Sequence, residues 1–125
     1  MGHSDTLVIA DGNFPIHSVG KDAHVVHLDG NGVVEVLEAI LKLLPLDTYV
    51  DKSVSLMQKV AGDQVEVPIW DEIEDTVAQY DERGAEAIQH IDRFDFYEQA
   101  KSAYVLIATS ERQLYANVIL QKGVV

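Results

Sequence analysis

Ala87-Ile-Gln-His-Ile91, then Asp92-Arg93, then Phe94-Asp-Phe-Tyr-Glu-Gln-Ala-Lys-Ser-Ala103, then Tyr104-Val-Leu-Ile-Ala108, follow one another without a break. The first and last pieces are apolar runs of strand length, and Tyr104–Ala108 is of the fully buried kind. Between them Asp92 is a good N-cap for a helix over 94–103. A strand, a helix and a strand in so short a span predict an α/β sheet. The same alternation continues outward. Thr6-Leu-Val-Ile-Ala10 is a strand closed by Asp11-Gly12-Asn13, with Pro15 barring its continuation. Residues 23–28 form a second strand, ended by Asp29-Gly-Asn-Gly32. The spacing predicts a helix over 33–44, with a polar stripe at Glu35, Glu38 and Lys42 and a stop at Pro45.

Residues 53–60 alternate as a strand does. Residues 69–83 form the clearest amphipathic helix. Ile69, Trp70, Ile73, Val77 and Tyr80 share its apolar face, and Pro68 and Gly84 bracket it. A last strand is expected over 115–120. The expected fold is therefore α/β, with helices on both faces of one sheet. No internal repeat, linker or low-complexity segment interrupts it, so residues 1–125 are read as one domain.

Composition narrows the function. The 125 residues carry 21 acidic and 9 basic side chains, so the net charge is 9 − 21 = −12. Phosphate backbones and anionic membranes are poor partners for such a surface. Without cysteine there is no disulfide, thiolate zinc site, iron–sulfur ligation or cysteine nucleophile. The longest apolar stretch, residues 33–46, is too short and too charged to span a bilayer. The chain shows no signal peptide, and the cytoplasm is the expected compartment.

Individual polar residues each have a functional and an ordinary reading. His24 and His27, three apart in a strand, point to opposite faces and cannot share a metal, so no metal site is expected. Gly30-Asn31-Gly32 before a helix could cradle phosphate, but it lacks the P-loop lysine and spacing and reads as a turn. Asp11 ends a strand, where open α/β sheets bind ligands, or it simply closes a turn. Arg93 at a helix start suits an anion or polar ligand, or a surface ion pair. Tyr115 and Asn117, two apart on the expected strand, would project to one face. There they offer a hydroxyl, an amide donor and an amide acceptor to vicinal hydroxyls, or they merely pack.

Taken in order, Gly2-His3-Ser4-Asp5, Asp11-Gly-Asn-Phe-Pro15-Ile-His17-Ser18, Leu46-Asp47-Thr48-Tyr49, residues 91–98 and Glu111-Arg112-Gln113-Leu114-Tyr115-Ala116-Asn117 resemble the L-fucose mutarotase and ribose pyranase family. The closing residues 119–124 fit it too. Arg93 before Phe94-Asp95-Phe96-Tyr97-Glu98 resembles the fucose branch, because the ribose branch carries histidine there. The resemblance implies a three-layer α/β/α domain that assembles as a decamer with sites at subunit interfaces. It implies that His3 is the proton donor and that Asp11, Arg93, Tyr115, Ala116 and Asn117 bind the sugar. It implies an isomerase acting on a monosaccharide without a cofactor. Two features depart from the family. A helical segment is expected ahead of the Gly-His motif, whereas Met1 stands directly before Gly2. Ser4 and Gly12 replace the usual glycine and alanine.

Two rival readings come from other classes: a sugar-binding protein of a transport or sensing complex, and a ring-forming scaffold whose motif residues only pack. The span from His3 to Asp11 predicts a site shared between subunits. Eight extended residue steps reach up to roughly 26 Å, far more than one sugar ring.

Overall fold

A computed structural model describes residues 1–125. Six strands form one sheet: β1 (Thr6–Ala10), β2 (His24–Leu28), β3 (Val54–Met57), β4 (Ile88–Ile91), β5 (Val105–Thr109) and β6 (Val118–Gln121). Their order is β2-β5-β1-β6-β3-β4. β1, β2 and β5 run parallel, as do β3 and β4. β6 is antiparallel to both of its neighbours, β1 and β3. Five strands therefore point one way, and their carboxyl ends line a single edge of the sheet. The chain enters β6 from that same edge.

The inner strands β1, β3, β5 and β6 are buried on both sides, which explains their nearly continuous apolar runs, whereas the edge strands β2 and β4 are partly exposed. Leu7 and Ile9 of β1, with Val118 and Leu120 of β6, face one core. Helix α2 (Val33–Leu41) covers it with Val33, Val36, Leu37 and Leu41, and helix α3 (Ile69–Tyr80) with Ile69, Ile73 and Val77. Val8, Ala10, Leu106 and Ile119 face the opposite core. There the short α1 (Ile16–Val19) brings Val19, and α4 (Arg93–Lys101) brings Phe96 and Ala100. Each fully buried aliphatic side chain contributes about 1.5–3 kcal/mol, so neither helical layer is dispensable. The three-layer expectation holds. Asp92 caps α4 as expected, accepting the Asp95 N–H at 2.9 Å.

Other expectations change. The helices expected over 33–44 and 69–83 stop at Leu41 and Tyr80. The strand expected over 53–60 stops at Met57, where the chain leaves for a loop over residues 58–67. Tyr80 lies off the buried face of α3, and its hydroxyl reaches Glu38 at 3.3 Å. The last strand starts at Val118, so Tyr115, Ala116 and Asn117 precede it. Tyr115 sits at φ 57°, a left-handed conformation that no strand accommodates. Its carbonyl accepts the Trp70 indole N–H at 2.9 Å, and this holds the bend in place.

Gly30-Asn31-Gly32 is a turn, with Gly30 at φ 85°. The N–H groups beyond it are already occupied: Glu35 takes that of Gly32 at 2.7 Å, and Glu111 takes that of Val33 at 3.0 Å. Two carboxylates thus fill the start of α2, and a phosphate would meet their charge.

Candidate functional site

The carboxyl edge of the parallel strands gathers most of the residues singled out in the sequence. Asp11 follows directly on β1, β4 delivers Arg93 as the first residue of α4, and the chain leaving β5 returns as Tyr115-Ala116-Asn117. Two contacts fix this edge. Thr109 Oγ1 donates to the Ala10 carbonyl at 2.7 Å, and the Gly12 N–H donates to the Glu111 carbonyl at 2.8 Å. A side chain at position 12 would place its Cβ 3.1 Å from that carbonyl, a close approach that glycine avoids.

Asp11 and Asn117 clasp each other. The Asp11 N–H donates to Asn117 Oδ1 at 2.8 Å, and Asn117 Nδ2 donates to Asp11 Oδ2 at 3.3 Å. The Asn13 N–H donates to Asp11 Oδ1 at 3.0 Å. Burial pushes the Asp11 carboxyl above its ordinary value, against the opposing pull of the Asn13, Ala116 and Phe14 N–H groups and the Asn117 amide. Together with Asn13, Phe14, Met57, Asp63, Tyr97, Leu114 and Tyr115, this pair lines a cavity of about 280 Å³. That lies just under the range of about 300–1,000 Å³ that holds drug-sized ligands, and suits a smaller molecule. Phe14, Met57 and Tyr97 supply an apolar wall; Phe14 and Tyr97 meet edge to face at 5.6 Å.

The Tyr115 hydroxyl donates to Asp63 Oδ2 at 2.7 Å and accepts the Val60 N–H at 3.2 Å. The Asp63 carboxylate pushes the phenol above its ordinary value, and the phenol holds Asp63 below the usual carboxylate range. Arg93 lies alongside rather than inside. It lines the adjoining recess with Lys59, Val60 and Phe94, its guanidinium 5.1 Å from the Phe94 ring centre. Its charge still acts on the Tyr115 phenol.

His3 is not brought to this edge. Although Ser4 bends the chain at φ 73°, the Ser4 N–H is tied to the Lys122 carbonyl at the far end of β6. His3 and Asp11 are thus separated by the length of β1, roughly 17 Å for five residues at about 3.3 Å each. His3 has a separate setting. Its Nε2 lies 3.3 Å from Asp47 Oδ1, and its ring lies 5.3 Å from that of Tyr49. Asp47 is 1% exposed and also accepts the Tyr49 N–H at 3.0 Å and Gln121 Nε2 at 2.9 Å. Arg83 anchors the same loop, donating to the Asp47 carbonyl at 3.1 Å while paired with Asp81.

Among the cavity residues, sequence reasoning passed over Asp63, Asn13, Phe14, Met57, Tyr97 and Leu114. Asn13, Phe14, Tyr97 and Leu114 stood inside the quoted motifs. Asp63 carried one signal, a Gly62-Asp63 turn just after a strand.

The fold and the site describe a small α/β domain with a polar recess at the carboxyl edge of its parallel strands, where such sheets bind small molecules. The model of the RbsD / FucU transport protein family matches residues 1–125. The chain belongs to that family. It is 43% identical over 128 residues to the fucose mutarotase of Homo sapiens, covering 99% of this chain and 82% of that protein. Among solved structures, FucU from Bifidobacterium longum superposes with a TM-score of 0.97 at 61% identity, covering 100% of this chain and 89% of that one. The fucose mutarotase from Streptococcus pneumoniae, solved in complex with L-fucose, superposes with a TM-score of 0.93 at 42% identity, covering 100% and 86%.

Proposed function

We propose that this chain is an isomerase that interconverts the anomers of L-fucose or a related aldose by opening and closing the sugar ring without a cofactor. The observation that carries this reading is the Asp11–Asn117 clasp beside Tyr115, set against an apolar wall, in a chain whose relatives are fucose mutarotases. Those relatives favour turnover over sugar binding alone.

The chemistry asks for little. The anomeric hydroxyl loses a proton, the bond from C1 to the ring oxygen breaks, and the ring oxygen gains a proton. The aldehyde turns over and the steps reverse on its other face. Asp11 accepts from sugar hydroxyls, and Arg93 donates to them from the adjoining recess. Tyr115 and the backbone at Ala116 shape one side of the recess, and Asn117 keeps Asp11 aimed. Phe14 and Tyr97 offer ring faces and edges to the sugar's C–H groups.

His3 is the proposed proton donor, because histidine exchanges protons near neutral pH. Since His3 and Asp11 lie at opposite edges of one sheet, the donor at each recess is proposed to be His3 of the partner subunit. A closed ring, a decamer in this reading, repeats that contact at every site. The exposed Phe94, Val60 and Leu114 around the recesses suit such a contact. No helix is long and apolar enough to cross a membrane, and the cytoplasm is the proposed compartment.

Saturation-transfer NMR between the anomers of L-fucose, D-ribose and a few other aldoses tests the reading. Transfer that rises with protein concentration is expected, strongest for L-fucose. Line broadening without transfer would instead mark a binder, and neither effect would mark a scaffold.

A further inference from the structure

The Tyr115 hydroxyl is already committed on two sides. Its proton is given to Asp63 and one lone pair takes the Val60 N–H, so towards the cavity it has only a second lone pair left. A phenol in that state cannot donate to a sugar. It can only accept, and it can accept a full proton only if it passes its own onward. Asp63 is placed to receive it. Oδ2 faces the phenol at 2.7 Å, while Oδ1 accepts the Val65 N–H at 3.0 Å and braces the loop. The loop is braced again where Lys59 Nζ donates to the Val65 carbonyl at 3.0 Å, and Gly62 at φ 87° makes its turn. The two oxygens of one carboxylate are thus divided between holding the loop and facing the phenol.

We propose that Asp63 is the positioning residue that makes Tyr115 a base: it orients the phenol and takes the relayed proton when the sugar ring opens. The proposal rests on the mutarotase reading. In the opening step the anomeric O–H breaks and its proton passes to Tyr115 Oη. The phenol's own proton passes to Asp63 Oδ2. The electron pair left on the anomeric oxygen forms the carbonyl, the bond from C1 to the ring oxygen breaks, and the ring oxygen takes a proton from the imidazolium donor. Closure on the other face returns each proton along the same path, so no co-reactant is consumed. The directions found for the two groups agree with a resting state of neutral phenol and charged carboxylate.

Asp63→Asn separates the two oxygens' roles. The amide oxygen can still accept from Val65, but the amide N–H then faces the phenol oxygen and donates to it. The Tyr115 hydroxyl is turned from base to donor with almost no change of shape. In the full chain, the maximal anomer-exchange rate on L-fucose is expected to fall about a hundredfold or more, the usual share of one proton-transfer group, with KM within a few-fold. The phenol titration followed by ultraviolet absorbance is expected to drop towards the ordinary tyrosine value of about 10. Asp63→Glu, which keeps the carboxylate, should retain at least tenfold more exchange than Asp63→Asn. In a Tyr115→Phe background, Asp63→Asn should cost nothing further. Losses that multiply, equal losses for the asparagine and glutamate variants, or an Asp63→Asn protein exchanging at the wild-type rate would overturn the relay alone. A wild-type protein that exchanges no sugar would overturn the mutarotase reading and the relay with it.

Discussion

Asp11 and Asp47 stand at opposite edges of the same sheet, 6% and 1% exposed, and their carboxyls are driven in opposite directions. Burial dominates at Asp11 and raises its carboxyl. At Asp47 the Tyr49 N–H is the leading influence, joined by Gln121 and His3 against the cost of burial, and the carboxyl is lowered. Burial alone does not decide a carboxylate's character. The balance decides: at Asp11 the cost of burial outweighs four donors, and at Asp47 the donors outweigh the cost of burial. One edge thus presents a carboxylate that lines a cavity. The other presents a well-satisfied carboxylate holding a half-exposed imidazole. The first arrangement suits a ligand, and the second suits a group that must keep its orientation.

The largest expected effect that tests this division comes from the imidazole. His3→Ala should lower catalysed anomer exchange by about a hundred- to ten-thousand-fold. Sugar binding should stay within about tenfold, because one neutral hydrogen bond contributes only ~0.5–1.5 kcal/mol. Exchange unchanged in the variant would remove His3 from the chemistry and leave the second edge a structural one.

Mixing tests whether the two edges meet between subunits. His3→Ala and Tyr115→Phe proteins, each strongly impaired, are unfolded together and reassembled. Random assembly at equal amounts pairs an intact His3 with an intact Tyr115 at about one site in four, so about a quarter of the activity should return. No recovery would mean that each chain builds its site alone.

A smaller effect is expected at Arg93. Loss of a charged hydrogen bond costs about 1.5–3 kcal/mol, so Arg93→Ala should weaken L-fucose turnover by roughly ten- to a hundredfold. Arg93→His should retain more of it and shift preference towards ribose. Equal losses in both variants with no change of preference would contradict this role.

The smallest effects are in stability, and they read the comparison directly. The Asp11 carboxyl is raised in the folded state, so its contribution is present below the unfolded value of about 3.9 and is lost as pH rises through the folded value. Asp47 is lowered, so its contribution is present above about 3.9 and is lost as pH falls through the folded value. Relative to the wild type, Asp11→Asn should therefore gain stability as pH rises above about 3.9, and Asp47→Asn should lose it as pH rises towards about 3.9 from below. Urea unfolding at a series of pH values measures both. Parallel trends would show that the two carboxylates are not opposed.

Much of this architecture is legible in the residues. The apolar runs at residues 6–10 and 104–108, the α3 periodicity, the Asp92 cap and the Pro and Gly punctuation each express a local preference that the tertiary structure did not overrule. The motif order also marked Asp11, Tyr115 and Asn117, which do share one cavity. Strand-like composition misled at residues 115–117. An apolar, aromatic run looks the same whether the backbone is extended or bent, and only the Trp70 contact and the Asp11–Asn117 clasp reveal the bend.

By itself, then, the sequence determined the α/β class, the two-sided covering of the sheet and the family. The first two follow from periodicity and short-range spacing, which act between neighbours along the chain, and the family follows from the resemblance of the motifs taken in order. Only the tertiary structure decided that β6 runs against its neighbours, that Asp63 reaches Tyr115 across 52 positions, and that His3 pairs with Asp47. Those outcomes depend on which distant segments are brought side by side, and a contact between residues far apart in sequence leaves no periodic trace in either one.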